Sequence, residues 1–448
     1  MAKLQQFRDP DLSLFQSAVD EVAARKTAGT QSQDVGEAGG ITRPDTDNSS
    51  MVRMADAELK AVHAASAAGA PPPGVPAAAV GTVTEGIGDT VRYCASLARN
   101  LAVAKLLCHT SDAARYEELL SQKMGDCDAG WVDVAVKYAE FLASKQQIPY
   151  RAHQQLNDFV IDGKLPANAR VALVGDWGTG QGEAKAVLSQ IARKNPDVVI
   201  HMGDIYYSAT DFEVQNYFYQ IWTNSLDLSR IATYTLSGNH DMFSGGTAYY
   251  KLLDQLGQPA SYFCLRNDSW QFLAVDTGFN DSKPGGADPT FLHDAEVQWL
   301  ADKIQNRGNR RTILLSHHQL FAAFEDICGK STNDKLNAQL APLLPGVDMW
   351  FWGHEHNLVI YEKYMGILAR CIGHGAFPIG VGEVPAKPKF PDVPVNGLTL
   401  GDNGVFFNHG YVMIELAGGD ATVSYYQDSD EDEPQFTESL AAQAKAAP

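Results

Sequence analysis

Residues 171–182 read Val-Ala-Leu-Val-Gly-Asp-Trp-Gly-Thr-Gly-Gln-Gly, four apolar residues that stop at an aspartate and pass into a glycine-rich turn. The following EAKAVLSQIARK has the texture of a helix. A strand, a glycine turn and a helix in this order either cradle a nucleotide phosphate or present a carboxylate to a metal at the strand end. Two details argue against the phosphate cradle. No Lys-Ser or Lys-Thr pair follows the glycines, and Gly178-Thr179-Gly180-Gln181-Gly182 runs into Glu183, which breaks the dinucleotide register. Asp176 is therefore read as a ligand presented at the end of a buried strand.

Outward from this stretch the pattern repeats. Short apolar segments at 170–176, 197–204, 233–241, 270–277, 311–318, 347–356 and 366–373 alternate with helical or loop segments, and 411–416 with 421–427 read as a terminal hairpin. Several are apolar almost throughout, as strands covered on both faces are, so the fold class is α/β. Five of these segments end in residues that bind metals: Asp176; Asp204; Asn239 with His240 and Asp241; His317 with His318; and His354 with His356. Taken singly each has a bland reading as a turn residue. Gly353-His354-Glu355-His356 is harder to dismiss, because a glycine frees the backbone and two imidazoles at i and i+2 suit a bend that aims both at one point. In open α/β sheets ligands bind outside the carboxyl ends of the strands, so five loops would converge on one place.

This ordered set resembles the calcineurin-like metallophosphoesterase superfamily, whose blocks GD, GD, GNH(D/E), H and GHxH all occur here in order over roughly residues 170–427. Glu296-Val297-Gln298-Trp299-Leu300 also resembles a helix common between its third and fourth blocks. The resemblance implies a four-layer α/β/β/α sandwich at 166–427 with a binuclear metal centre. Most members carry Asp-x-His in the first block, whereas here the third residue is Gly178. Loss of that histidine, together with a tyrosine three residues after Asp204, is the pattern of purple acid phosphatases. In that family the tyrosine is a phenolate ligand of ferric iron, a hard anionic donor suited to a trivalent ion. The spacing favours Tyr207; Tyr206 is the register rival and is expected to pack.

The resemblance assigns Asp176, Tyr207 and His356 to the first metal, Asp204 to both, and Asn239, His317 and His354 to the second, with Fe(III) at the tyrosine site and Fe, Zn or Mn beside it. It implies hydrolysis of phosphate monoesters: hydroxide generated at the cations attacks phosphorus, and His240, oriented by Asp241, protonates the leaving group. A phosphodiesterase with the same site, and a metal- or nucleotide-binding scaffold without turnover, are the alternatives. His318, His374 and Arg370 are candidate substrate contacts. His201 and Asp276 are expected to support ligands from behind.

The remainder of the 448 residues sets limits. Lys and Arg number 35 against 54 Asp and Glu, a net charge of −19, which disfavours binding to nucleic acid or anionic membranes and leaves a small phosphate ester as the expected partner. Residues 1–165 read as a helical amino-terminal region with an Ala/Pro-rich linker at 64–82, and 428–448 as an acidic, Ala-rich solvated tail. Asp9 and Asp11 interrupt any secretory signal and no apolar run spans a bilayer, so a cytoplasmic protein is expected. The six cysteines are scattered without a CxxC pair and read as reduced thiols. Oligomeric state is not legible.

Overall fold

The chain divides into two compact units, Met1–Lys145 and Gln146–Pro448. The computed structural model describes residues 147–206, 208–281, 289–381, 387–404 and 406–441. The amino-terminal helices and the 64–82 linker expected from the sequence lie outside the described residues.

The second unit is built on two stacked sheets. One contains β2 (Arg170–Val174), β3 (Val198–His201) and β4 (Ala232–Thr235) in parallel. It continues through β11 (Gly410–Ala417), β12 (Asp420–Gln427) and β13 (Phe436–Leu440) in the order β13-β12-β11-β2-β3-β4. The other has the order β1-β5-β6-β7-β8-β10-β9. Its strands are β1 (Val160–Asp162), β5 (Phe263–Arg266), β6 (Trp270–Ala274), β7 (Arg311–Ser316), β8 (Met349–Trp352), β9 (Leu358–Ile360) and β10 (Leu368–Ile372). The strands β6, β7, β8 and β10 are mutually parallel.

Strand alternation explains the layers. Val171, Leu173, Val198 and Ile200 of one sheet meet Phe272, Ile313, Leu315, Met349 and Phe351 of the other in a single core. Their intervening neighbours face outward. Ala172, Val174 and Val199 pack beneath α1 (Gly182–Arg193), through Val187, Leu188 and Ile191. They share that layer with α2, which comprises Asp211–Glu213, a π-helical Val214–Tyr219 and Gln220–Ser225. The helix α3 (Thr247–Leu256) adds Leu252. On the opposite side Leu273, Leu314, Trp350 and Trp352 pack beneath α4 (Asp294–Gln305) and α5 (Asp334–Leu340). Each such large apolar side chain contributes about 1.5–3 kcal/mol on burial. The result is the expected four-layer α/β/β/α sandwich.

Four strands were not anticipated, and the last corrects the reading of the carboxyl end. Residues 428–448 are not a free tail throughout, because Phe436–Leu440 pairs antiparallel with β12 and turns Phe436 and Leu440 into the inter-sheet core. Glu438 lies on the same face and bonds Arg370 of β10, an ion pair joining the two sheets. Tyr425 Oη donates to Glu438 at 2.6 Å. No helix among the described residues is long and apolar enough to cross a membrane.

Candidate metal centre

Because β2, β3 and β4 run parallel in one sheet and β6, β7 and β8 in the other, their carboxyl ends open on one edge of the sandwich, where five loops meet. Two of the loops pair with each other. Gly178 and Ile205 form a parallel bridge, with Gly178 N–H donating to Asp204 O at 3.3 Å and Tyr206 N–H donating to Gly178 O at 3.0 Å. A Cβ at Gly178 would stand 2.7 Å from both Asp204 O and Ile205 Cα, so the bridge needs glycine.

Three of the converging residues sit in left-handed backbone: Asp176 (φ 55°), Asp204 (φ 72°) and His354 (φ 67°). Non-glycine residues rarely adopt this conformation, which costs about 1–3 kcal/mol each and clusters at functional sites. Here it reverses the chain at the strand end, so that each side chain turns inward.

Asp176 Oδ1 accepts from Tyr206 Oη at 2.9 Å and lies 3.5 Å from His356 Nε2, while its Oδ2 accepts from His354 N–H at 2.9 Å. Tyr206 Oη is also 2.9 Å from His356 Nε2. The neighbouring set is as tight. Asn239 Oδ1 is 3.2 Å from His317 Nε2 and 3.1 Å from His354 Nδ1, and the two ring nitrogens are 3.3 Å apart. Asp204 joins the sets: ligand atoms of Asp176, Asp204 and His356 lie within 4.8 Å of one another, while Asp204 Oδ2 is 3.4 Å from His317 Nε2 and its Oδ1 accepts from His240 N–H.

The electrostatics describe a negative site drawing in positive charge. Burial would raise the Asp204 carboxyl, but His317, His240 and His354 hold it well below the usual carboxylate range. Burial would lower His317, but Asp204, Asp176 and Asp241 push it up to about 9. Burial, with Asp176 and Asp204 alongside, pushes the Tyr206 phenol well above its ordinary value. Asp204 Oδ2 is buried and, beyond the 3.4 Å approach of His317 Nε2, has no hydrogen-bond partner among the described residues. An orphaned carboxylate oxygen among converging lone pairs is the arrangement that cations satisfy, so the residues fit two metal ions.

The structure thus brings together Asp176, Asp204, Asn239, His317, His354 and His356. Tyr207 lies outside the described residues. Tyr206, assigned to packing from its spacing, instead carries its hydroxyl into the first set. The reason is local: Ile205 joins the apolar layer under α2, and its neighbour on an extended bridge points the opposite way. His318 lies close enough to His317 and His354 to make a third imidazole of a metal group. Its ring is held elsewhere, however, with Nδ1 3.0 Å from Thr277 Oγ1 and Nε2 at ion-pair distance, 3.1 Å, from Asp281 Oδ2.

Other expected roles change. Asp241, expected to orient His240, has its carboxylate turned to the backbone: it accepts N–H bonds from Gly238 (2.7 Å), Asp204 (3.0 Å) and Ile205 (3.2 Å), tying the second and third loops together. Burial and the Asp204 charge push it up to about 8. Arg370 is no phosphate contact, since its guanidinium is committed to Glu438 and to the carbonyls of Tyr361 and Ala369. His374 is only 2% exposed, too buried to line an open pocket, and burial with His409 lowers it to about 4. His201 bonds Thr235 Oγ1 at 2.9 Å amid Trp177, Phe218 and Trp222, and burial lowers it to about 3, which makes it a neutral core histidine. Asp276 accepts from Ser237 Oγ and from Phe279 N–H, fixing the backbone just before Gly238-Asn239.

Residues 169–358 match the family model described as calcineurin-like phosphoesterase. No curated protein matches the chain. Among solved structures, it is similar to GAP50, the anchor in the inner membrane complex of Plasmodium (13% identity, 62% of this chain and 90% of that one, TM-score 0.45). It is similar to purple acid phosphatase PPD1 from yellow lupin (Lupinus luteus) seeds (17% identity, 59% of this chain, TM-score 0.40), of whose length the match spans 52%. A third is a dimetal phosphatase from Danio rerio (13% identity, 62% of this chain and 100% of that one, TM-score 0.40).

Proposed function

From a calcineurin-like, metal-dependent phosphoesterase domain, we propose a binuclear phosphomonoester hydrolase of the purple acid phosphatase kind. One observation carries the reading: a single buried carboxylate, Asp204, lies within 4.8 Å of the ligand atoms of Asp176 and His356 and 3.4 Å from His317, and so stands between two donor sets, Asp176–Tyr206–His356 and Asn239–His317–His354. Two cations held there would supply the Lewis acidity that activates water and neutralises charge growing on phosphoryl oxygens.

The chain's own residues do the rest. Asp204 holds the two sets at one spacing, and Asp241 fixes the Asp204 turn through three backbone N–H groups. Asn239 adds a neutral oxygen, keeping the second set less anionic than the first, which contains Asp176 and the Tyr206 phenol. That difference favours a trivalent ion such as Fe(III) at the first position and a divalent Fe, Zn or Mn at the second. His240 holds a proton at the mouth: its Nε2 lies 3.9 Å from Asp204 Oδ2 and the side chain is 16% exposed. From there it delivers the proton to the departing alkoxide.

The test is p-nitrophenyl phosphate hydrolysis by the purified chain, with metal analysis and a visible spectrum. The reading expects a tyrosinate-to-iron charge-transfer band that Tyr206→Phe abolishes and Tyr207→Phe retains. Full phosphatase activity in Asp204→Asn would sink it, and loss of the band in Tyr207→Phe alone would return the phenolate to Tyr207.

A further inference from the structure

Phe377 touches two residues of the first metal set and has no part in the reaction just described. In the loop after β10, its ring stacks on His356 with centroids 4.1 Å apart and planes at 26°, and its centroid is 4.8 Å from that of Tyr206. Tyr206 is fully buried, but Phe377 is half-buried. Among the imidazoles of the site, those of His240, His354 and His356 also reach solvent. Phe377 therefore stands with them at the opening of the site. The rings continue past it, for Tyr206 lies 4.8 Å from His240, and His240 lies 4.7 Å from Phe243. An aromatic arc flanks the first metal set from Phe377 to Phe243.

A phosphate ester enters such a site with its phosphoryl oxygens toward the cations and its organic group toward the mouth. On the Phe377 side that group passes partly exposed rings, whose apolar faces lose water when a flat apolar group covers them. Aromatic pairs add a geometric preference beyond area. Resting on the phosphomonoesterase reading, we propose that Phe377 is a specificity-determining residue that selects esters whose organic group is aromatic.

Benzyl phosphate and ethyl phosphate test this, because both release an alkoxide and the chemical step is matched. With the metal-loaded full-length chain, the expected result is a KM about three- to tenfold lower for benzyl phosphate, the size of an aromatic pair, at similar kcat. Phe377→Leu keeps apolar bulk against His356 and removes the ring. It should bring the two KM values together, and Phe377→Trp should restore the difference. Calorimetry with benzylphosphonate and ethylphosphonate, which are not turned over, should give the same ratio as Kd. Equal KM values in the unmodified chain overturn the proposal. So does a Phe377→Leu variant that loses metal and kcat equally with both esters, since Phe377 would then only prop His356. Turnover of neither ester, nor of p-nitrophenyl phosphate, would instead sink the phosphomonoesterase reading and this proposal with it.

Discussion

Placing a histidine at Gly178 should damage the site. A Cβ there would lie 2.7 Å from Asp204 O and Ile205 Cα, against 3.4 Å for ordinary contact, so the two loops must part by about 3.4 − 2.7 = 0.7 Å. Both obstacles are backbone, and the chain that must move carries Asp204 and Tyr206. Overpacking of this kind costs about 1–3 kcal/mol of stability. A misplacement approaching 1 Å at a catalytic constellation costs on the order of 10²-fold in rate. Gly178→His should therefore lower Tm by several degrees and kcat/KM for p-nitrophenyl phosphate by about ten- to hundredfold, with Gly178→Ala showing most of both effects. Thermal unfolding and steady-state kinetics on the metal-loaded chain measure the two together. A Gly178→His protein with unchanged Tm and undiminished kcat/KM would refute the claim that the bridge to Ile205 excludes a side chain.

Removing one partner of the Arg370–Glu438 pair leaves a buried charge between the sheets, so Arg370→Met should cost about 3 kcal/mol in denaturant unfolding, while Arg370→Met/Glu438→Gln recovers much of it. Neither variant should change KM for phosphate esters; a raised KM would return Arg370 to the substrate. Glu296 is fully buried, and burial with Asp276 beside it holds its carboxyl well above the ordinary 4.5. A raised folded-state value means stability fully present below the ordinary value and lost as pH rises toward the folded one. Glu296→Gln should thus flatten the fall in Tm above pH 4.5, and an unchanged slope would refute the assignment. Chelation should abolish activity and lower Tm, because ions bound only by the folded chain stabilise it by mass action; an unaltered Tm would argue against preformed metal binding.

The parallel strands β2, β3 and β8 were legible because they are largely apolar and lead into a glycine followed by a polar residue. Strands β1 and β9 have three residues each, too few for alternation to register, and β13 hides among acidic residues because its polar positions Thr437 and Ser439 alternate with Phe436, Glu438 and Leu440. The candidate metal ligands were legible as residue types at strand ends. What could not be read was direction, which depends on partners distant in sequence. Asp241 faces backbone N–H groups of the second loop, and Arg370 faces a strand 68 residues away.

The two adjacent tyrosines show the same limit at the scale of one residue. Counting three residues on from Asp204, as the resemblance implies, selects Tyr207, which lies outside the described residues. The loop here is fixed by its pairing with Gly178, which seats Ile205 in the apolar layer and turns Tyr206 toward Asp176 and His356. Gly178 is therefore the residue whose missing side chain lets the tyrosine loop approach. It follows that Gly178→His and Tyr206→Phe should not be additive: once the bridge is forced open, Tyr206 is already displaced, and the double variant should lose little more activity than Gly178→His alone. Losses that simply multiply would separate the two residues and refute the coupling.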